Sequence, residues 1–402
     1  MNAQPSPPRR GLFGRPVLTA TIVLAALAGA GLGGIALADR GDRRTTATWQ
    51  PAPSARPTSA TRPSSAATRP SSAAPQGETP GTITLSATGD IIMGGAPDRL
   101  PAGGGKGFFD QVRAGLKSDL VMGNLEQTLT GDTGTSKCGT PPRPRCFAFR
   151  APPAYAQHLV DAGFELLNTA NNHSNDFGPQ GYKNTVRALE DAGLEHTGAK
   201  GEITVVEVKG VRVAVLGFSP YAGANNLNDL DAAREIVEEA AGRADVVVVQ
   251  VHMGAEGADE GHVKPGSELF YEENRGDPMK FSRTVIDAGA DVVVGHGPHV
   301  LRGMEFYKGR LIAYSLGNFA GGGRTLGRAG VLGYGGILHV TLTREGKFAG
   351  GKLLSTAMNS AGKPTRDSAQ ERGRARVREL SAADFGPTAA KIGKDGSISA
   401  PA

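Results

Sequence analysis

Short runs of β-branched residues constrain the fold of this chain most strongly. "DVVVVQVHMG" at residues 245–254 and "DVVVGHGPH" at residues 291–299 are two such runs, and "VRVAVLGF" at residues 211–218 is a third. Continuous apolar runs of this length indicate strands buried inside a sheet. Helical patterns at residues 229–241 and 278–288 follow or separate these strands. This strand–loop–helix order predicts an α/β layered domain whose helices cover the sheet.

The later part of the domain predicts antiparallel pairs as well. "RGMEFYKG" and "RLIAYSLGNF" predict a hairpin around Lys308 and Gly309, and residues 334–350 predict another β pair. Hairpins added to strand–helix units predict a mixed sheet rather than a purely parallel one.

The first eighty residues predict export rather than folded structure. Residues 1–15 form a basic segment that we expect in the cytoplasm, and residues 16–38 form an uncharged apolar run long enough to cross a bilayer. The length of this run favours an uncleaved anchor, while "ALAD" at residues 36–39 leaves open a secreted form cleaved near Ala38. Residues 39–80 are rich in Pro, Ser, Thr and Ala and predict a disordered linker. We therefore expect a single-pass membrane protein whose folded domain lies outside the cytoplasm.

The remaining chain divides into residues 81–360, which predict the folded domain, and residues 361–402, which predict a polar and partly ordered tail. The formal net charge of +5 is spread along the chain, and aromatic residues make up only 5%. Neither a concentrated basic surface nor a base-stacking surface follows from this composition, so we expect no nucleic-acid partner.

Polar side chains follow five successive predicted strands. In order along the chain they are Asp90; Asn124 and Glu126; Asn172 and His173; His252; and His296 and His299. Turn formation accounts for single Asp or Asn residues at such places, but it does not account for histidines on three separate loops. Loops at the carboxyl ends of strands gather at one edge of a sheet. Because carboxylates, amide oxygens and imidazoles together bind divalent ions, the sequence predicts a metal centre at this edge.

The loop "GHGPH" carries two of the histidines three residues apart. We expect Gly295 and Gly297 to let the backbone approach bound ions closely, and Pro298 to fix the turn so that both imidazoles converge.

Several other residues are candidates for supporting roles, each with a structural alternative. Asp176 is expected to orient His173 and act with it in catalysis, or else to cap the helix that follows. Asn318 is expected to hydrogen-bond the histidine loop. Arg150 is a candidate for binding acidic substrate groups, with simple surface solvation as the alternative. For Glu256 a solvated loop is the favoured interpretation.

Cys138 and Cys146 bracket the segment "GTPPRPR". In an exported chain, two cysteines this close predict one disulfide that closes a small loop, with two free thiols as the alternative. Metal binding is disfavoured because no histidine is near them in the sequence. The loop follows Glu126 and could form part of the rim of the site.

Six segments between about residues 82 and 345 carry a family resemblance: "ATGDIIMGG", "GNLEQTLTG", "NTANNHSNDFG", "VHMG", "GHGPHV" and "IAYSLGNF". In this order they resemble the CapA family of bacterial poly-γ-glutamate capsule synthesis proteins, which is similar to the calcineurin-like metallophosphoesterases. The resemblance implies a layered calcineurin-like fold with mixed β-sheets flanked by helices. It also implies a catalytic role for His173 and metal ligation by Asp90, Glu126, Asn172, His252, His296 and His299.

Two positions depart from the metallophosphoesterase pattern. Ile92 stands where that pattern has a histidine, and Asn124 stands where it has a bridging aspartate, so Glu126 is expected to supply the carboxylate and Asn124 a supporting contact. The expected cofactor is one or two divalent ions, with Mn, Fe and Zn not distinguished.

The functional expectation is a metal-dependent phosphoesterase-type hydrolase in poly-γ-glutamate capsule or cell-envelope polymer synthesis. Expected partners are an acidic envelope polymer or a phosphorylated precursor, the membrane, and membrane proteins of capsule synthesis. The alternative is a non-catalytic component that binds polymer through a metal.

Overall fold

The structure is a computed structural model that describes residues 81–402, and the segments predicted at residues 1–15, 16–38 and 39–80 lie outside the described residues. None of the helices within residues 81–402 combines the length and the apolar character that a bilayer crossing requires. The α-helices are α1 Arg113–Leu116, α2 Ala156–Ala162, α3 Gly178–Asp191, α4 Leu230–Arg243, α5 Pro278–Asp287 and α6 Arg372–Phe385.

The strands fall into two large sheets and two short pairs. In chain order they are β1 Thr82–Ile92, β2 Leu120–Leu125, β3 Thr128–Leu129, β4 Arg150–Ala151, β5 Leu166–Asn168, β6 Glu195–Thr197, β7 Thr204–Val208, β8 Val211–Ser219, β9 Asn225–Asn226, β10 Val246–His252, β11 Leu269–Phe270, β12 Glu273–Asn274, β13 Val292–His296, β14 Met304–Tyr307, β15 Arg310–Ala313, β16 Asn318–Gly321, β17 Tyr334–Thr343, β18 Phe348–Met358, β19 Pro364–Arg366, β20 Lys391–Ile392 and β21 Ser397–Ser399.

Both large sheets are mixed, as predicted. The first has the order β20-β21-β18-β17-β1-β2-β5-β6, with β16 beside β1 and β19 beside β18. Its central strand β1 pairs in parallel with β2 and antiparallel with β17. The second has the order β14-β15-β13-β10-β8-β7, with β9 beside β8. The hairpin predicted around Lys308 and Gly309 is confirmed, because β14 pairs antiparallel with β15 directly across these two residues.

The two sheets face each other across a shared hydrophobic core, and helices cover their outer faces. Along β10, Val246 and Val248 point into the core between the sheets, whereas Val247 and Val249 pack outward in the cluster that includes α4 and α5. A second outer cluster joins the first sheet to α2 and α3. Burying each of these valines stabilises the folded state by roughly 1.5–3 kcal/mol relative to leaving its side chain exposed. Burial on both faces is the reason that the strand sequences are continuously apolar, and the expected α/β layering with helices on both sides is confirmed.

The segment predicted as a partly ordered tail, residues 361–402, contains β19, α6, β20 and β21. Helix α6 buries Val377 and Leu380 completely, and the ring of Phe385 stacks on Tyr314 with centroids 5.0 Å apart. Although this segment is rich in arginine, Val377, Leu380 and Phe385 form a narrow apolar stripe on α6, and this stripe packs the segment against the sheets.

Candidate metal centre

Two rows of polar residues, one on each sheet, meet at one edge of the domain. In the first sheet the row consists of Asn318, Asp90, Asn124 and Asn168, each in register with the next. In the second sheet His252 of β10 and His296 of β13 are register partners. Apart from Asn318, which begins β16, all of them lie at or near the carboxyl ends of parallel strands, where polar side chains are supported without disturbing the core.

A chain of amides holds Asp90 in place. Asn124 Oδ1 accepts hydrogen bonds from the Nδ2 atoms of Asn168 (2.9 Å) and Asn171 (3.1 Å). Because two donors hold this oxygen, the other end of the amide is turned toward Asp90, and Asn124 Nδ2 donates to Asp90 Oδ1 at 2.8 Å. Asn124 is therefore a positioning residue, in agreement with the supporting contact expected from the sequence.

We expect Asn124→Ala to destabilise the domain by about 2–4 kcal/mol, because it leaves two buried amide donors and one carboxylate oxygen without their partner. Urea unfolding of the purified protein measures this change. Asn184→Ala is a suitable control, since Asn184 donates its own side-chain bond to Thr130 in a partly exposed position; the control should change stability by less than about 1 kcal/mol. Equal effects of the two substitutions would contradict the positioning role.

Close packing requires glycine at two positions of the histidine loop. A side chain at Gly295 would collide with the carbonyl oxygen of Tyr314. Gly297 has a φ of +110° and lies against the ring of His252. Gly295 thus makes room for a neighbouring backbone segment and Gly297 for an imidazole, and their expected role in letting the backbone approach bound ions stays a prediction.

Side chains from both sheets converge on one small volume. Asp90 lies between the two histidines of the loop, with Oδ1 3.8 Å from His296 Nδ1 and Oδ2 3.1 Å from His299 Nδ1. Glu126 Oε1 is 3.5 Å from His299 Nε2 and 3.9 Å from His252 Nε2. Asp90, Glu126 and His252 each offer a ligand atom, and these atoms lie within 4.8 Å of one another.

Five of the predicted ligands keep a buried polar atom that has no hydrogen-bond partner. These atoms are Asp90 Oδ2, both Glu126 carboxylate oxygens, Asn172 Oδ1, His252 Nδ1 and His296 Nδ1. Folded proteins rarely leave so many buried polar atoms unpaired in one place. His296 Nε2 is held 3.2 Å from Gln250 Oε1, which fixes the proton on Nε2 and leaves the lone pair on the unpartnered Nδ1. The unsatisfied oxygens of Asp90, Glu126 and Asn172 and the free nitrogen of His296 fit a divalent cation.

The electrostatics of the site also fit a cation. Burial raises the pKa of the Glu126 carboxyl well above its usual range, and the charges of Asp90 and Glu256 add to this rise. Burial alone would lower the pKa of His299, but the surrounding charges of Glu126, Glu256 and Asp90 raise it to about 10. In the metal-free chain His299 therefore carries a positive charge among three carboxylates.

His173 lies beside this cluster and is oriented by a buried carboxylate. Its Nδ1 is 2.7 Å from Asp176 Oδ2, and the ammonium of Lys137 is 2.7 Å from Asp176 Oδ1. The backbone N–H of Phe149 donates to the same carboxylate at 2.6 Å. Burial lowers the pKa of His173 below its usual value despite the charge of Asp176. Of the two alternatives for Asp176, orientation of His173 is therefore observed and helix capping is not, because no side chain caps α3.

The cluster opens to solvent through two adjoining cavities of about 380 and 470 Å³. His173 and Glu256 line both of them, and His299 lines the smaller one. Phe270 and Tyr271 of the β11–β12 hairpin also line both, so this hairpin forms a wall of the entrance. A substrate therefore has direct access to His173 and to the edge of the metal centre.

Comparison with known proteins identifies the family of this chain. Residues 84–322 match the family model described as "Bacterial capsule synthesis protein PGA_cap". The chain belongs to this family. It is 33% identical over 257 residues to "PGA biosynthesis protein CapA" of Bacillus subtilis (strain 168), a match that covers 59% of this chain and 63% of that protein. It is 32% identical over 262 residues to "Capsule biosynthesis protein CapA" of Bacillus anthracis, covering 59% of each. Each match thus spans less than two thirds of the relative's length.

Two solved structures from Thermus thermophilus are similar to this PGA_cap family member at lower sequence identity. A hypothetical protein aligns with a TM-score of 0.40 and 16% identity over 68% of this chain and 98% of its own. A 5'-nucleotidase precursor aligns with a TM-score of 0.41 and 17% identity over 74% of this chain and 58% of its own. At these TM-scores neither structure adds to the fold described above.

The structure brings the six predicted ligands close to one another. It corrects the predicted roles of two other residues, Arg150 and Asp176. Arg150 does not reach the site, because its guanidinium pairs with Asp132 at 3.0 Å and lies over the ring of Phe177. Asp176 is completely buried, so it positions His173 and does not itself contact substrate. Asn318 meets its expectation, with Oδ1 2.9 Å from His299 Nδ1.

Three residues of this family member were not predicted as part of the site. Glu256, interpreted as part of a solvated loop, accepts a hydrogen bond from Asn172 Nδ2 at 3.4 Å and lies 3.7 Å from His299. Arg275 contacts His252, and Lys137 contacts Asp176. Only Glu256 carried a signal in the sequence, since it follows His252 by four residues.

Cys138 and Cys146 form a disulfide, which decides between the two alternatives left open by the sequence. The loop that they close begins directly after Lys137, and Arg143, Arg145 and Cys146 line the larger cavity. The disulfide therefore restrains a rim of the site, including the lysine that holds Asp176.

Proposed function

We propose that this chain is a metal-dependent phosphoesterase-type hydrolase that acts in capsule or cell-envelope polymer synthesis. The observation that carries the proposal is the set of unpartnered buried ligand atoms beside an accessible, carboxylate-oriented histidine. Mixed carboxylate and imidazole donors suit ions such as Mn²⁺, Fe²⁺ or Zn²⁺. When bound, such an ion supplies activated water and neutralises charge on phosphoryl oxygens.

His173 is the residue that would exchange a proton with the substrate. Its Nδ1–H donates to Asp176, and Lys137 forms an ion pair with that carboxylate at 2.7 Å. The remaining ring nitrogen, Nε2, is then the atom free to give a proton to an oxygen of the substrate or to accept one from it. A buried carboxylate behind a histidine commonly fixes the tautomer and the ring orientation in this way.

The larger cavity supports an anionic substrate, such as an acidic envelope polymer or a phosphorylated precursor. Lys137, Arg143 and Arg145 line it together with two acidic residues, Glu256 and Glu273, and Glu256 is already paired with the buried Arg275. Guanidinium groups bind carboxylate and phosphate in fork geometry, and a cleft with excess positive charge attracts anions.

We also propose that the domain works outside the cytoplasmic membrane, tethered by the apolar segment at residues 16–38 and associated with membrane proteins of capsule synthesis. The disulfide between Cys138 and Cys146 supports this location, because such bonds persist mainly in oxidising compartments.

A second candidate function is metal-dependent polymer binding without turnover. Ile92 favours it, because this residue replaces a histidine of the phosphoesterase pattern and is buried against Phe149 rather than turned into a ligand position. The site then holds fewer ligands than the enzyme pattern requires.

A phosphoester panel separates the two candidates. We expect the full-length chain, stripped with a chelator and reloaded with Mn²⁺, Fe²⁺ or Zn²⁺, to hydrolyse at least one phosphomonoester or phosphodiester, and to lose this activity on renewed chelation. Asp90→Asn is the matched inactive variant, since it keeps the shape of a residue that faces both His296 and His299. Tight metal and polymer binding with no hydrolysis of any ester would support the binding module instead.

A further inference from the structure

Arg275 is one of the largest fully buried side chains of the described residues, and it points into the metal centre. Its Nη2 lies 3.0 Å from His252 Nε2, and its Nη1 lies 2.7 Å from Glu256 Oε1. The rings of Tyr221 and Phe270 lie 5.6 and 5.7 Å from the guanidinium carbon. These contacts hold both Nη atoms inside the domain, so the guanidinium is not free to swing into solvent.

The contact with His252 has a chemical consequence. An arginine side chain does not lose its proton in a protein and only donates hydrogen bonds, so His252 Nε2 must be the acceptor. A neutral imidazole has a single lone pair available in its plane, and here that lone pair is directed to Arg275. The other ring nitrogen, Nδ1, then carries the hydrogen and cannot bind a metal. Arg275 and a metal ion therefore exclude each other at His252.

The charges lead to the same conclusion. Asp90, Glu126 and Glu256 place three carboxylates around the centre, and Arg275 pairs with Glu256. Asp90 and Glu126 remain as the two carboxylates of the centre that are not paired with Arg275. A second divalent ion next to a guanidinium would meet strong repulsion in this buried environment.

We propose that Arg275 is a built-in cation that closes the His252 side of the centre to metal, so that the chain binds one divalent ion on the side of Asp90, Glu126 and His299. This inference rests on the proposed metal-dependent function and specifies its cofactor. Although His252 lies within ligand distance of Asp90 and Glu126, its role is to hold Arg275 in place.

Metal stoichiometry tests the inference without any assay of activity. The full-length chain is stripped with chelator, reloaded with excess Mn²⁺ or Zn²⁺, desalted and analysed for metal per chain by mass spectrometry. We expect one ion in the wild type, one in Arg275→Lys and two in Arg275→Met. Arg302→Met is the matched control, because Arg302 is equally buried but pairs with Glu268 and backbone carbonyls rather than with a candidate ligand; this variant should keep one ion.

A second variant keeps the test decisive if Arg275→Met does not fold. His252→Ala should keep one ion with a dissociation constant within about threefold of the wild type, because His252 is not a ligand. Two ions in the wild type, one ion in folded Arg275→Met, or loss of the ion in His252→Ala would each overturn the inference while leaving a metal-dependent function intact. An absence of bound metal from the wild type would instead overturn the proposed function, and the inference with it.

Discussion

Replacing His173 with alanine is expected to lower phosphoester turnover by about 10²–10⁴-fold, the range typical of a lost acid–base group. The chain should stay folded and keep its metal, because His173 stands beside the ligand cluster and its ring contacts only the side chains of Asp176 and Lys137 through polar atoms among the described residues. Initial rates with saturating metal, together with metal content and circular dichroism of the same preparation, measure these effects.

His262→Ala is the matched control for this experiment. His262 is half-exposed and pairs with Asp384 at 2.7 Å on the surface, away from the two cavities. It should turn over substrate at the rate of the wild type. Full activity in His173→Ala would show that another group handles the proton, and loss of metal from that variant would show that His173 is a ligand rather than an acid–base group.

Glu126→Gln is expected to have opposite effects on metal binding and on the stability of the metal-free chain. It should weaken metal binding by at least about 100-fold, the upper end of what a lost supporting contact costs a metal site. In the metal-free chain it should raise the free energy of unfolding by about 1–3 kcal/mol at neutral pH, the scale of one unsatisfied buried polar group. The cause is that glutamine places no negative charge in a site where burial disfavours the charged carboxylate.

The sign follows from proton linkage. Burial raises the pKa of Glu126 well above its usual range, so the folded chain binds this proton more tightly than the unfolded chain does. The free energy of unfolding of the wild type then falls as pH rises above the pKa of Glu126 in the unfolded chain. The glutamine variant lacks this titrating group and therefore this loss of stability. Urea unfolding in the presence of chelator at about pH 5 and about pH 8 measures both effects. A variant less stable than the wild type at the higher pH would contradict the interpretation of Glu126 as a strained metal ligand.

Much of the fold could be predicted because strand and helix patterns along the chain were clear. The valine runs of β10 and β13 predicted buried strands, and the helices predicted at residues 229–241 and 278–288 lie at Leu230–Arg243 and Pro278–Asp287. Strand patterns alone could not predict the division into facing sheets, since a strand buried between two sheets and one buried between sheet and helix have the same composition; only the family resemblance implied several layered sheets.

The site was predictable where it follows strand ends and unpredictable where it depends on tertiary contacts. Asp90, His252 and His296 belong to strands whose ends share one edge, so their proximity follows from topology. Arg275 and Lys137 come from irregular segments far from any predicted strand end, and no local pattern marks them. Arg150 was predicted to bind acidic substrate groups, but its side chain pairs with the surface carboxylate of Asp132 instead.

The division of the ligands between two sheets has a consequence for the protein as a whole. Asp90 and Glu126 come from the first sheet and its loops, while His296 and His299 come from the second. An ion shared by these residues would tie the two halves of the sandwich to each other. Changes to the valines and leucines between the sheets, far from any ligand, should then alter metal affinity, and the bound cation should slow hydrogen exchange on both sides of that interface together.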